Sequence, residues 1–218
     1  MTDHLSYLVL GLGNGAVYAA LGLALVMTFK SSGVVNFATG AVALYAAYTF
    51  ALLRKGELLV PIPGLPGTIE LGGSLDVLPA MAGSLAGFAR LGGGGFLLVF
   101  RPVRAAAPAG PGVASIGLMV LLQALIAQRV GTQVVSVEPI FPLKTISMGD
   151  AVAPTDRIWL TVVILVLAVV TTLTFRFTRF GVATEAAAES EKGAFLTGLS
   201  PDRIAVCNWG LSSAVAGL

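Results

Sequence analysis

Residues 158–175 read "IWLTVVILVLAVVTTLTF". No charged residue interrupts this run, and Arg157 and Arg176 stand at its two ends. A helix that crosses the hydrocarbon core of a bilayer needs about 20 mainly apolar residues. The stretch is therefore read as a membrane span, and the search moves outward for others like it. Leu5 to Phe29 qualifies and is ended by Lys30. Val34 to Leu53 qualifies if the interruption "NFATG" is tolerated, and Arg54 and Lys55 end it. Leu75 to Phe100 is long enough, but it carries Arg90 and the run Gly92 to Gly95. Val113 to Val130 is shorter and holds Gln123, and a sixth apolar run begins near Ile204. The expected fold is all-α and polytopic, with about five to six transmembrane helices in one domain over residues 1–218.

Composition agrees with this reading. Of 218 residues, 56% are hydrophobic and 11% are charged, against about 25% charged in a soluble domain. So few charges cannot clothe a soluble globule, and a lipid bilayer is the expected surroundings. A net charge of +2 and the lack of a basic cluster argue against nucleic acid. Cys207 is the single cysteine and His4 the single histidine. No disulfide framework, cysteine-based metal site or histidine-dependent triad is expected. The opening "MTDH" has no Lys or Arg, so the first run is read as a retained helix and not a cleaved signal.

Loops set the orientation. "VPIPGLPGTIELGG" (Val60 to Gly73) is a Pro/Gly turn region, and "RPVRAAAPAGPG" (Arg101 to Gly112) is basic and Pro-rich. With the N-terminus outside, Lys30, Arg101, Arg104, Arg176, Arg179, Lys192 and Arg203 fall inside. Arg54, Lys55, Arg129, Lys144 and Arg157 fall outside. This seven-to-five excess favours the N-out arrangement by the positive-inside rule.

The most charged segment runs from Arg176 to Ile204. Ala183, Ala187, Ser190, Ala194 and Gly198 recur at helical spacing and place a stripe of small side chains on one face. Glu185, Glu189 and Lys192 fall on the other face, and Gly198 followed by Pro201 marks a helix stop. Such a helix is either a solvated amphipathic loop or a face that another protein approaches closely.

Three stretches carry a resemblance. "AESEKGAFLTGLSPDRI" resembles the cytoplasmic coupling loop of the permeases of branched-chain amino acid ABC importers, the inner-membrane component family of binding-protein-dependent transport. "GVVNFATG" resembles that family's element after the first long helix. "FRPVR" followed by "ASIGLMVLLQ" resembles its basic loop and next span. Order and spacing match along nearly the whole chain. The resemblance implies a coupling loop over residues 178–203 that docks on a cytoplasmic ATPase through Glu185, Ala188, Glu189, Ala194, Gly198 and Arg203. It implies a second permease subunit, two ATPase subunits that bind the ATP, an extracytoplasmic binding protein, no cofactor on this chain and no catalysis. A multi-pass place in the bacterial inner membrane follows from it, as does the expectation that the chain is short of the family's last helices. Leu, Ile and Val are the implied substrates, with urea and short amides as the alternative. The chain departs from the general importer motif: "EAA" at Glu185 to Ala187 lacks the later glycine, and Ser190 and Glu191 stand there instead.

No G-x-x-x-x-G-K-[ST] phosphate loop is present, so energy must come from other subunits. An ion-coupled secondary transporter would need an acidic residue inside a span. Every Asp and Glu lies in a loop or at a segment edge. A non-transporting scaffold would not need the charged loop.

"GVVNFATG" (Gly33 to Gly40) then has a reading. A helix break frees backbone groups that lipid cannot satisfy, so it faces protein or a watery cavity, and transporters build sites from such half-helix ends. Gly33 and Gly40 permit the turn and close approach. Asn36 donates and accepts, and Thr39 can cap the next helix. With Phe37 they form either a stretch of the translocation path or a helix interface held by an interhelical bond from Asn36. The family usually carries His at position 39. Asn14 and Tyr18, one turn apart, are further path candidates. Gln123 is read as packing glue. Arg90, where the family has aliphatic residues, costs about 2.5 to 3.5 kcal/mol at a helix centre. It and the glycines after it suggest a local loss of helix or a peculiarity of this chain's lineage, and no function is read for Arg90.

Overall fold

A computed structural model describes residues 2–61, 64–103, 110–131, 135–136, 140, 145–148 and 151–217. Nine helices are found among these residues. They are α1 (Thr2–Ser32), α2 (Thr39–Arg54), α3 (Val77–Gly95), α4 (Arg101–Val103), α5 (Gly110–Val130), α6 (Thr155–Phe177), α7 (Arg179–Glu189), α8 (Glu191–Leu196) and α9 (Pro201–Ala216). One π-helical turn, Phe96–Phe100, joins α3 to α4 without a break. Two short antiparallel hairpins were not expected: β1 (Glu57–Leu59) with β2 (Thr68–Glu70), and β3 (Thr145–Met148) with β4 (Ala151–Pro154). Arg104 and Lys144, used above for orientation, lie outside the described residues.

Among the described residues, four stretches are long and apolar enough to cross a bilayer: Gly11–Ser32, Val77–Val103, Gly110–Val130 and Thr155–Phe177. The expected span over Val34 to Leu53 is shorter as a helix. Its regular part is the 16 residues of α2, about 24 Å at 1.5 Å per residue, because the break occupies the residues before Thr39. The sixth helix, α9, has the same length. The feared loss of helix at Arg90 and Gly92–Gly95 does not occur, since α3 runs through both.

Successive long helices alternate in direction. At one end of the bundle Lys30 meets Glu185 (3.8 Å) and Arg101 meets Asp202 (3.1 Å). At the other end Arg54 donates to the Leu75 carbonyl and Arg129 to that of Leu65. We call these the loop end and the hairpin end. Most of α6 is exposed along its length, including Leu165, Val166, Val169 and Val170. An apolar face of that size suits lipid, not water.

The centre of the bundle is α9, packed most closely on α3 and α1. The reason is small residues. A Cβ on Gly92 would overlap Ser213 and the Trp209 carbonyl, and one on Gly210 would sit 2.9 Å from the Ala89 carbonyl. Glycine there lets two backbones touch, which is how helices gain packing in lipid. Ser212 Oγ donates to the Ala24 carbonyl at 2.6 Å and ties α9 to α1. Trp209 is 2% exposed and lies against the rings of Phe100 (4.2 Å) and Phe96 (5.8 Å), the two ends of the π-turn. A second cluster joins Tyr45 of α2 to Phe88 of α3 edge to face, centroids 5.8 Å apart. Gln123 is exposed on α5.

The charged segment is not one helix. It breaks at Ser190, whose extended backbone ends α7 and whose Oγ accepts from Gly193 N–H at 3.1 Å to start α8. A serine at this position offers the backbone a cap, so the helix restarts there instead of continuing.

Candidate functional site

The break between α1 and α2 is built locally. Gly33 takes a φ of +65°, with its N–H on the Phe29 carbonyl at 2.8 Å, and so closes α1. Asn36 is buried, and its Oδ1 accepts from Ala38 N–H at 3.0 Å. Thr39 returns its hydroxyl to the Asn36 carbonyl at 2.7 Å. Asn36 therefore accepts from its own turn, and the interhelical bond, one of the two readings the sequence left open, is not seen among the described residues. Thr39 does not cap α2 either, because its Oγ is spent backwards on Asn36. Gly40 is exposed with open space around it, so no close backbone approach requires a glycine there. Phe37 is half exposed, and its N–H donates to Ser115 Oγ of α5 at 3.2 Å. Ser115 is fully buried and passes its own proton to the Gly112 carbonyl at 2.7 Å. This tether was missed in the sequence because a serine inside an apolar helix usually bonds only its own helix.

Asn36 opens onto a cavity of about 460 Å³ between α2, α3, the π-turn, α5 and α9. That volume falls within the ordinary range for small-ligand sites. It reaches Pro61 at the hairpin end, and Tyr45, Phe88, Leu122 and Trp209 contribute to its wall. Asn14 and Tyr18 are not part of it. Asn14 Oδ1 accepts from Arg157 at 3.2 Å where α1 crosses α6, and Tyr18 is 74% exposed. Both had been path candidates. Their side of α1 faces away from α9, so the break and these two residues do not share a site.

The second element is the pair α7–α8. Thr178 caps α7 through Gly181 N–H at 3.3 Å, and Gly181 packs so tightly on the Phe175 carbonyl that no Cβ fits. The small-residue stripe is only partly turned inward: Ala187 and Ala194 are buried, Ala194 to 2%, Ala183 is half-buried, and Ser190 and Gly198 are exposed. Glu185, Ala188, Glu189 and Arg203 are exposed. Gly198, at φ +81°, ends α8: its N–H bonds the Phe195 carbonyl at 3.1 Å and Leu199 N–H bonds that of Ala194 at 3.0 Å.

What projects from this element is apolar. Phe195 is 72% exposed and Leu196 is 90% exposed. Exposed leucines on α6 face lipid, but these two lie in the most charged part of the chain, beyond the spanning segments. Sequence reasoning overlooked them because they sit off the small-residue periodicity. Their signal was two large apolar residues in a charged loop.

A buried hydrogen bond links this element to the bundle. Asn208 of α9 donates from Nδ2 to Thr184 Oγ1 of α7 at 3.0 Å and to the Ile204 carbonyl at 2.9 Å. Both residues are fully buried, and Trp209 of the cavity wall is the next residue.

The family described as branched-chain amino acid transport system / permease component matches residues 7–218. The high-affinity branched-chain amino acid transport system permease protein LivH of Escherichia coli (strain K12) is 24% identical over 214 residues, covering 95% of this chain and 66% of that protein. LivH of Salmonella typhimurium is 24% identical over 216 residues, with the same coverage. The permease protein BraD of Pseudomonas aeruginosa is 24% identical over 219 aligned positions, covering 99% of this chain and 69% of that protein. The chain spans about two thirds of the length of the relatives it matches. No solved structure matches it.

Proposed function

The chain belongs to the branched-chain amino acid transport permease family, and from that premise we propose that it is the membrane-spanning permease subunit of an ABC importer for branched-chain amino acids. It sits in the bacterial inner membrane with the loop end in the cytoplasm. A second permease subunit, two ATPase subunits and an extracytoplasmic binding protein complete the transporter. ATP is bound and hydrolysed on the ATPases, and this chain performs no catalysis. Transport is alternating access: closure of the ATPases moves α7–α8, and α9 carries that movement to the cavity beside Asn36.

The observation that supports this reading best is the exposed Phe195–Leu196 tip on a folded helix pair that is bonded into α9. Large apolar side chains exposed in a charged loop mark a surface that another protein covers. The test is Leu196→Ala in the reconstituted complex. Loss of ATPase copurification and of stimulated hydrolysis, with normal membrane insertion, is expected. Unchanged copurification and stimulation would reject α8 as the docking element. This variant is preferable to changes at Gly198, where φ of +81° strains any side chain and confuses docking with folding.

A further inference from the structure

α1 and α6 pack against each other, and each carries a cation in its last turn, Lys30 in α1 and Arg176 in α6. Between them and beside α7 lies a groove of about 380 Å³. Away from the loop end its wall is apolar, with Leu23, Val26 and Met27 of α1 and Phe175 of α6. Lys30, Arg176 and Glu185 stand at its loop-end mouth. The surroundings are an apolar outer surface, with Val26, Phe29, Leu173 and Phe177 all exposed.

Neither cation is used up inside the chain. Lys30 Nζ lies 3.8 Å from Glu185 Oε1, which is an ion pair too long for a hydrogen bond. It also sits 5.7 Å from the centre of the Phe175 ring, which holds it at the groove. Its three N–H donors have no acceptor among the described residues. Arg176 packs on Phe177, 5.5 Å from guanidinium carbon to ring centre, and has no carboxylate partner among the described residues. Two cations against one carboxylate leave the mouth positive. A basic mouth over an apolar groove, at the level where two spans end, complements a phospholipid with an anionic head. A soluble anion would match the mouth and leave the groove empty.

We propose that this groove binds an anionic phospholipid, with its phosphate on Lys30 and Arg176 and one acyl chain along Leu23, Val26 and Phe175. Lysine meets a phosphate as a point charge, and arginine meets it with a planar fork of donors. Glu185 opposes the head and competes for Lys30, so the lipid also bears on how firmly α7 is held to α1. The site goes beyond the transport reading and does not depend on what is carried.

The experiment uses the full chain, purified and delipidated in a neutral detergent. It is titrated with dioleoyl phosphatidylglycerol, dioleoyl phosphatidylcholine or glycerol 3-phosphate, and bound molecules are counted by native mass spectrometry. Phosphatidylglycerol is expected to bind at least about fivefold more tightly than phosphatidylcholine, the factor that one interfacial cation supplies. Glycerol 3-phosphate, the head without the chains, should not be retained. Lys30→Gln and Arg176→Gln should each weaken phosphatidylglycerol about fivefold. Arg179→Gln, which removes an exposed cation at the same end but outside the groove, should leave it unchanged. Val26→Trp fills the groove without touching a charge and should abolish retention. Glu185→Gln removes the competing carboxylate and should tighten binding, a gain that misfolding does not produce. Equal binding of the two lipids overturns the proposal with no variant involved. A loss in Arg179→Gln as large as in Arg176→Gln would mean diffuse attraction to a basic loop and would overturn it too. Wild-type affinity in Val26→Trp would remove the groove from the site, and retention of glycerol 3-phosphate as tight as that of the lipid would assign the mouth to a soluble anion; either result sinks the lipid site.

Discussion

Thr184→Val tests whether the bond between α7 and α9 transmits movement. The substitution keeps the shape of the side chain and removes the hydroxyl that accepts from Asn208 at 3.0 Å. Asn208 keeps its second bond, to the Ile204 carbonyl at 2.9 Å, so its amide is not left wholly unpaired. The substitution also removes the bond from Thr184 Oγ1 to the Phe180 carbonyl at 2.9 Å, which lies within α7; the loss between α7 and α9 is that of one buried side-chain bond, about 0.5 to 1.5 kcal/mol. Bonds between membrane helices measured by double-mutant cycles average about 0.6 kcal/mol and reach about 1.7. At about 1 kcal/mol, the balance between engaged and disengaged α7 shifts about fivefold. The assay is substrate imported per ATP hydrolysed in proteoliposomes holding the assembled complex. That ratio is expected to fall several-fold while ATPase copurification stays normal, because Phe195 and Leu196 are untouched. Asn208→Leu should act in the same direction, and the double variant should be no worse than the more severe single one. An unchanged transport ratio in Thr184→Val, or fully additive effects in the pair, would show that the bond is structural and that coupling runs elsewhere.

Other outcomes follow from the same geometry. Asn36→Leu removes the acceptor of Ala38 N–H, which leaves a buried donor unpaired at a cost of about 1 to 3 kcal/mol; initial uptake rates should fall while membrane insertion persists, and wild-type uptake would refute a path role for the break. Ser115→Ala cuts the tether to Phe37, and trypsin cleavage after Lys30 should be faster than in wild type if that bond holds the break in place. Gly92→Ala forces α3 and α9 apart against backbone, with an expected loss of about 1 to 3 kcal/mol for overpacking; a melting temperature within error of wild type would contradict the contact. A cysteine at Ser190 in a Cys207→Ser background should react with an impermeant maleimide only after the membrane is opened, and labelling of intact cells would reverse the assigned orientation.

Sequence alone settled what depends on local chemistry. Low charge and long apolar runs required a membrane bundle, since such a surface has no stable place in water. Gly33 and Asn36 marked the helix break because one supplies a left-handed backbone and the other a side chain that mimics a turn. Gly198 marked the end of α8 for the same reason. Periodicity went wrong where a neighbour decided the outcome. The small-residue stripe was legible, but whether Ala187 and Ala194 faced a partner or the chain's own bundle was not, because an alanine face permits close approach by either. Ser190 split the expected helix by capping a new one. Arg90 and Gly92–Gly95 looked like a defect, yet α9 packs against Gly92 and Gly93. Asn14 in α1 and Asn36 in the break after it are the same residue type, and only the packing of α6 on one side of α1 and α9 on the other sent them to different places. The cavity and the Thr184–Asn208 bond join residues far apart in the chain. They exist only once the helices pack, because a hydrogen bond or a void between helices depends on which faces meet, and that is fixed by the bundle as a whole.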